Sequence, residues 1–233
     1  YMYRILIIIL VCCHSFSLSQ KFEGESKSIG KVNNGKLVNG RKFPYNGENY
    51  QYFSPFSYYI LNRAWTHSKI VDITLETYKE CENKIPHHQF LLMECSKKNG
   101  GKMKPHRTHQ NGTSIDFGTP LLKNGKPYKI HNSLGVYHYL MSFDEKGNWT
   151  TNKSVSIDFE SMAQHILILD KIARKNNMYV KKVIFKINLK DDLFKTKSGK
   201  KLKRKKIYFA RKLPRIVDNL HDDHYHVDFG FLQ

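Results

Sequence analysis

Histidines and aspartates gather in two short segments of the chain, and these residue types bind divalent metal ions. Residues 221–226 read HDDHYH, and residues 105–117 read PHRTHQNGTSIDF. A catalytic zinc site needs three nitrogen or oxygen ligands from the protein and a fourth position that stays open for water. His109 and Asp116 of the upstream segment, with His226 of the downstream one, meet that need. We therefore predict one zinc ion per chain, bound between the two segments.

Both segments have the alternation of a β-strand around these residues. In HYHVDFGF (224–231), apolar residues alternate with His224, His226 and Asp228, so a strand would place the three polar residues on one face. Asp116 alternates with apolar neighbours in the same way, and the glycine before it permits a tight bend. The sequence therefore predicts that strands present the metal-binding side chains.

The elements that must position these strands show their own periodicities. Apolar residues at helical spacing predict a helix between His67 and Ile85, and a second helix over 159–175. Short apolar runs predict strands in QFLLMEC (89–95) and in YVKKVIFKINL (179–189). Helices mixed with short strands indicate an α+β fold. We expect a small antiparallel sheet that carries the zinc site, flanked by helices and long loops.

The N-terminal part of the chain has two distinct compositions. Residues 1–20 contain one arginine, an apolar run from Ile5 to Cys13 and then small or polar residues, which is typical of a secretory signal peptide. Residues 20–50 are rich in Gly, Asn and Lys, and we expect an irregular arm there. We therefore predict a signal peptide over 1–20, a single domain over 21–233, export, and no stable insertion into a membrane.

The chain is strongly basic, with a net charge of +19. Eight of the twelve residues in KTKSGKKLKRKK (195–206) are basic. Such a balance favours an acidic partner, which can be nucleic acid, an anionic membrane or an anionic wall polymer. The run itself is typical of a solvated loop, with recruitment of an acidic polymer as the alternative. Export and the lack of a zinc-finger or RNA-binding signature argue against nucleic acid.

Taken together, the two segments resemble the pattern H-x-x-H-x-x-G-x-x-x-D … H-x-x-H-x-H of the penicillin-insensitive murein endopeptidases. The matching stretches are HRTHQNGTSID and HDDHYH. That family consists of zinc peptidases in the superfamily of lysostaphin-like and D-Ala-D-Ala peptidases. The arm SIGKVNNGKLVNG, followed by NGENYQ, is similar to the family's opening segment. The resemblance covers residues 28–117 well and the following part loosely until the last histidines.

The resemblance implies a role for each matching residue. The family's zinc ligands fall on His109, Asp116 and His226. His224 matches an active-site histidine beside the metal, and His221 and His106 match two further active-site histidines. For His221 and His106 two alternatives stay open: contact with the substrate, or a position behind the ligands or in solvent. Two features depart from the family, namely a longer basic run over 195–206 and the acidic residues inside HDDH, which can alter the pKa of His221 or His224.

The activity implied by the resemblance is that of an exported, periplasmic zinc endopeptidase. Its partner is peptidoglycan, in which it hydrolyses the bond between D-alanine and a diamino acid of a peptide cross-link. Two alternatives stay open: a zinc D,D-carboxypeptidase that trims free stem peptides, and a non-catalytic protein that binds the wall through its basic face. The chain contains no H-E-x-x-H motif, which disfavours a metallopeptidase with a glutamate base. The sequence indicates no protein partner.

Several titratable residues lie outside the two segments. For the pair His87 and His88 we expect a surface turn. Three more histidines occur singly and are expected to be structural: His131, His138 and His165. Cys81 and Cys95 either form a disulfide in an oxidising compartment or remain two separate buried thiols.

Overall fold

A computed structural model of the protein describes residues 24–130, 134–205 and 207–232. The signal peptide predicted over 1–20 and the single histidine His131 lie outside these residues. Five α-helices occur in the described part: α1 (Ser68–Lys84), α2 (Phe159–Lys175), α3 (Lys190–Lys195), α4 (Lys197–Arg204) and α5 (Arg215–Asn219). Three further helical turns are a π-turn and two 3₁₀ turns: Phe56–Ile60, Gly135–Leu140 and Ile187–Leu189.

The described strands form one large sheet and three smaller ones. Their bounds are β1 (Lys27–Lys31), β2 (Asn34–Val38), β3 (Arg41–Lys42), β4 (Asn46–Gly47), β5 (Tyr50–Tyr52), β6 (Trp65–Thr66), β7 (Phe90–Leu92), β8 (Ser114–Gly118), β9 (Leu121–Lys123), β10 (Lys126–Tyr128), β11 (Asn148–Trp149), β12 (Asn152–Ile157), β13 (Met178–Ile184), β14 (Tyr208–Phe209) and β15 (His224–Phe231). The large sheet has the strand order β14-β13-β15-β8-β7-β5-β4, and a second sheet has the order β10-β9-β12-β11. Strands β1 and β2 form a hairpin, and β3 pairs with β6.

The α+β class predicted from the sequence is confirmed. The central pairings of the large sheet, β13–β15 and β15–β8, are antiparallel, whereas β13–β14 and β5–β7 are parallel. Seven described strands form this sheet, and most of them are short. Among the described residues, no helix is both long enough and apolar enough to cross a membrane.

Helices α1 and α2 pack beside the sheet because each has one apolar face. In α1 that face is buried through Ile70, Ile73 and Cys81, as the periodicity predicted. Helix α2 spans the predicted residues 159–175, and Asp158 caps its first turn by accepting a hydrogen bond of 3.0 Å from the N–H of Ser161. Both helices therefore form where the apolar periodicity of the sequence predicts them.

The two faces of β15 differ from the simple pattern of an exposed sheet. The apolar residues Val227 and Phe229 belong to the core, but His224, His226 and Asp228 on the other face are buried as well. A polar strand face that lies inside the protein needs partners for every donor and acceptor. This buried polar face is the part of the fold that concerns function.

Three local expectations are wrong in whole or in part. Over its described residues 24–50 the arm is not irregular, because β1 and β2 pair along their full length across a two-residue turn at 32–33. The basic run does not form a loop, because Leu202 is fully buried and anchors residues Lys197–Arg204 as helix α4. The surface turn expected for the pair is found at His87 but not at His88, which is buried with its Nε2 2.8 Å from Asp158 Oδ2.

The two cysteines of the described part are both buried and both free. Burial raises the pKa of the Cys81 thiol to about 12 and that of the Cys95 thiol well above its usual range. They therefore match the alternative of two separate buried thiols.

Candidate metal centre

The loop that precedes β8 brings His109 into the protein interior. The backbone has φ of 67° at His109 and 72° at Gly112, so the loop bends twice through the left-handed region before it enters the strand. The carbonyl of Gly112 accepts hydrogen bonds from the N–H of His67 (3.0 Å) and from Oγ1 of Thr66 (2.6 Å). These bonds hold the bend that the sequence predicted at this glycine.

The β1–β2 hairpin supports the same loop. The side-chain amide of Asn111 donates to the carbonyl of Gly30 at 3.2 Å, and the N–H of Gln110 donates to the carbonyl of Val32 at 2.9 Å. A Cβ at Gly35 would lie 2.7 Å from Cβ of Asn111, so only glycine permits this close approach. The N-terminal arm is thus part of the framework of the site.

His109 and Asp116 meet at the centre of the site. Asp116 lies on β8 and is 1% exposed, and His109 is fully buried. The distance from His109 Nε2 to Asp116 Oδ2 is 3.2 Å. The loop before β8 carries His109 and the strand carries Asp116, and the bend between them lets the two side chains approach the same point.

The pairing of β15 with β8 adds His226 to this pair. In the antiparallel register His226 lies directly opposite Asp116, and its Nδ1 is 2.8 Å from Asp116 Oδ1. The other ring nitrogen, Nε2, donates to Asp228 Oδ1 at 2.7 Å. Asp228 also accepts from Ser114 Oγ at 2.6 Å and pairs with Lys182 at 2.7 Å. His226 is therefore held between two carboxylates.

His106 approaches Asp116 from the loop. Its Nδ1 lies 3.7 Å from Asp116 Oδ2, and its ring centroid is 5.0 Å from that of His109. One ligand atom from each of His106, His109 and Asp116 lies within 4.8 Å of the others, a grouping that can hold a metal ion. Three histidines, with His226 as the third, therefore surround the carboxylate of Asp116, which makes four candidate ligands in all.

The chemistry of these side chains fits a bound cation. Among the described residues, neither ring nitrogen of His109 has a partner in hydrogen-bond geometry, although Nε2 lies 3.2 Å from Asp116 Oδ2. An unsatisfied buried polar group costs about 1–3 kcal/mol, which coordination of a metal by Nε2 would offset. Imidazole nitrogens combined with a carboxylate oxygen are donors that suit divalent transition metals. The residues of the site therefore fit a metal ion.

His224 and His221 lie beside this group. His224 is on the same buried face of β15 as His226, and its Nδ1 lies 2.6 Å from Asp223 Oδ1. The ring centroid of His221 is 4.7 Å from that of His224, and Nδ1 of His221 bonds the carbonyl of Val217 at 2.6 Å. All six residues singled out from the sequence are thus brought into one region.

The charges at the centre of the site perturb each other. Burial raises the pKa of Asp116, but the neighbouring His109 and His226 outweigh burial and hold that pKa well below its usual range. Burial lowers the pKa of His226, yet the charge of Asp228 and the hydrogen bonds to both carboxylates raise it to about 9. Asp116 is therefore an anion in the folded protein, as a metal ligand must be, whereas a metal at His226 would have to displace the proton that this ring holds at neutral pH.

The outer histidines are perturbed in opposite directions. Burial and the neighbouring His109 lower the pKa of His106 to about 3. Burial and the neighbouring His224 lower the pKa of His221 to about 4. For His224 burial also lowers the pKa, but the adjacent Asp223 carboxylate outweighs it and raises the pKa above its usual value. His106 and His221 are therefore neutral at neutral pH.

The structure adds three residues that the sequence analysis did not select for the site. Asp228 contacts His226, Asp223 contacts His224, and His138 contacts Asp223. Strand alternation already placed Asp228 on the face of the histidines, and that signal was sufficient to select it. No local pattern connects His138 with the site, because it lies on a separate 3₁₀ turn.

Comparison with known protein families identifies a match over most of the chain. The family described as penicillin-insensitive murein endopeptidase matches residues 28–230 of the chain. This range includes most of the arm, both histidine segments and the part between them. No curated protein matches the chain in a sequence search.

Proposed function

This chain belongs to the penicillin-insensitive murein endopeptidase family, and we propose that it is a zinc metallopeptidase that hydrolyses D-alanyl–diamino acid cross-links in peptidoglycan. Membership of the family makes the chain a peptidase with peptidoglycan as its substrate. The zinc ion and the particular cross-link go beyond the family assignment and are our proposal. We further propose that the protein is exported to the periplasm, where this substrate lies.

One observation supports the metal most strongly, and that is the convergence of buried donors on Asp116. We propose His109 Nε2, Asp116 and His226 Nδ1 as the three zinc ligands. A histidine that ligates a metal usually donates its other N–H to a carboxylate, which orients the ring and raises its basicity. His226 has this partner in Asp228 at 2.7 Å. Within the described part of the chain, His106 has no such second carboxylate, and its Nδ1 lies farther from Asp116, at 3.7 Å.

The reaction needs an activated water and a group that moves protons. A bound Zn²⁺ lowers the pKa of its water towards about 7 and polarises the carbonyl of the peptide bond. The protein group that we propose for proton transfer is His224, because Asp223 occupies its Nδ1 and leaves Nε2 for the substrate. His221 and His106 are neutral imidazoles beside this position, and we propose that they contact the substrate.

The proposed reaction is tested by incubating purified cross-linked peptidoglycan with the protein, with and without a chelator, and separating the fragments by chromatography. We expect the loss of cross-linked dimers and no loss in the presence of the chelator. Loss of single terminal alanines from free stem peptides, with dimers intact, would show a carboxypeptidase instead. Binding to wall material without any release of fragments would show a non-catalytic wall protein.

The proposed ligand set is tested separately by zinc analysis of single variants. We expect His109→Ala, Asp116→Ala and His226→Ala to lose bound zinc, because three ligands leave little redundancy. We expect His106→Ala to retain zinc, together with the control His88→Ala, which removes a buried histidine that is paired with a carboxylate elsewhere. Retention of zinc by His226→Ala and loss by His106→Ala would refute this ligand set.

The role of His224 is tested by measuring zinc and turnover on the same variant. A group that acts in the transition state affects turnover more than binding. For His224→Ala we expect bound zinc to be retained and turnover to fall roughly 100-fold or more. A zinc-loaded His224→Ala variant with near-normal turnover would exclude the catalytic role.

A further inference from the structure

The two aspartates between the histidines of HDDH have different partners. Asp222 Oδ2 accepts hydrogen bonds from the N–H of Phe143 at 3.1 Å and from Lys186 Nζ at 2.8 Å. Asp222 therefore ties the segment before β15 to two other parts of the chain. Asp223 instead directs Oδ1 at His224 Nδ1, at 2.6 Å. Only the second aspartate contacts a histidine of the site.

A third residue contacts the other oxygen of Asp223. His138, on the 3₁₀ turn Gly135–Leu140, is 2% exposed, and its Nδ1 lies 2.7 Å from Asp223 Oδ2. Thr119 fixes the backbone of Asp223 as well, because its N–H and its Oγ1 both donate to the carbonyl of that residue, at 3.0 and 2.9 Å. His138, Asp223 and His224 thus form a continuous buried chain.

Aromatic contacts fix the two rings of this chain. The ring of Phe53 meets the ring of His138 edge-on at 5.2 Å, and the ring of Tyr139 lies 4.0 Å from it. Tyr139 also approaches the ring of His224 edge-on, with centroids 6.1 Å apart. The turn that carries His138 therefore reaches Asp223 through His138 and the ring of His224 through Tyr139.

We propose that Asp223 and His138 are positioning residues that fix the orientation and the tautomer of His224. A carboxylate can only accept a hydrogen bond, so the neutral imidazole of His224 carries its proton on Nδ1 and presents the lone pair of Nε2. A carboxylate that also contacts His138 through its second oxygen is less free to rotate away. The catalytic part of this inference rests on the proposed function, in which Nε2 of His224 moves protons.

The kinetic test uses the zinc-loaded full chain and a soluble cross-linked dimer of stem peptides. We expect Asp223→Asn to lower kcat roughly 100-fold and His138→Gln roughly 10-fold, with KM and zinc content nearly unchanged. The matched controls are Asp158→Asn and His88→Gln, because that aspartate and histidine form a buried pair of the same kind, at 2.8 Å. We expect both controls to keep the kcat of the unmodified chain.

Two kinetic results would overturn the positioning role. In the first, kcat of both site variants stays within about twofold of the unmodified chain. In the second, the controls lose as much kcat as the site variants, which shows a general effect of removing a buried pair. Asp223→Asn keeps the shape of the side chain, and His138→Gln provides an independent variant if Asp223→Asn does not fold.

A spectroscopic measurement separates this inference from the proposed function. Long-range ¹H–¹⁵N spectra distinguish the two imidazole tautomers, and comparison with His224→Ala identifies the signals of His224. At a pH where this ring is neutral, we expect the Nδ1–H tautomer in the unmodified chain and its loss in Asp223→Asn. An unmodified chain that releases no fragments but shows this pattern refutes the proposed function and supports the positioning. An unchanged tautomer in Asp223→Asn and His138→Gln refutes the positioning, whatever the activity.

Discussion

The carboxylate behind His226 should control the affinity of the site for zinc, and Asp228→Asn is the change that tests this. Asp228 is 3% exposed, and its Oδ1 accepts both from His226 Nε2 and from Ser114 Oγ. Its other oxygen pairs with Lys182 at 2.7 Å. Asparagine keeps the shape of the side chain, but it removes the charge and one of the two acceptor oxygens.

The magnitude follows from these contacts. In the variant a single oxygen must serve either Lys182 or His226, so the imidazole loses the anionic acceptor that raises its basicity. Removal of such a partner of a metal-binding histidine typically weakens metal affinity about 10- to 100-fold. This corresponds to about 1.4–2.7 kcal/mol of binding free energy. We expect a weakened site and not a lost one, because the three proposed ligands remain.

The assay is competition for zinc with a chromophoric chelator, carried out on the folded chain. Asp158→Asn is a closely matched control, because Asp158 also accepts from a histidine Nε2 (His88, 2.8 Å) and from a serine hydroxyl (Ser161, 2.7 Å). Thermal unfolding of both variants without zinc measures the general cost of each substitution. We expect zinc affinity to fall only in Asp228→Asn.

Two results would refute this reasoning. If Asp228→Asn is folded and binds zinc as tightly as the unmodified chain, His226 does not depend on its carboxylate. If Asp158→Asn weakens zinc binding equally, the loss reports destabilisation and not orientation of a ligand.

Three further predictions concern the rest of the chain. Burial raises the pKa of Asp158, but the hydrogen bonds from His88 and Ser161 outweigh it, so that pKa lies below the ordinary 3.8. As the pH falls, the Asp158 carboxylate is therefore protonated first in the unfolded chain and only at lower pH in the folded chain. Its stabilisation of the fold is complete above pH 3.8 and is lost as the pH falls through the lower folded pKa. The difference in stability between the unmodified chain and Asp158→Asn should therefore shrink in an acid denaturation series. Gly112→Ala should lower the free energy of unfolding by about 1–3 kcal/mol in urea titrations, because φ is 72° there and a Cβ would lie 2.7 Å from Leu37; an unchanged midpoint would contradict this. Replacing Lys200, Lys203 and Arg204 of α4 by Gln should weaken binding to wall sacs at low salt more than at high salt, without changing cleavage of a soluble dimer. The control replaces Lys27, Lys31 and Lys36 of the hairpin, and equal effects of both sets would show that only total charge matters.

Much of the secondary structure could be predicted from the sequence, because helices and strands depend on periodicities that lie within a few residues. Helix α2 has the predicted bounds 159–175, and α1 follows the predicted apolar face. The alternation in 224–231 likewise placed His224, His226 and Asp228 on one face. The wrong local predictions, for the arm and for the basic run, arose where polar composition concealed a hairpin register and a single buried anchor, Leu202.

The residue types and spacing of the two histidine segments limit the possible metal ligands to a few side chains. How these side chains contact each other, and through which partners, depends on the packing of the folded chain. Strand register sets His226 opposite Asp116, and no local pattern contains the pairing of two strands that lie far apart in the chain. The same holds for His138, which reaches Asp223 through packing of a separate turn. Contacts between distant segments depend on how whole elements pack, and for that reason the partners of the histidines became visible only in the folded chain.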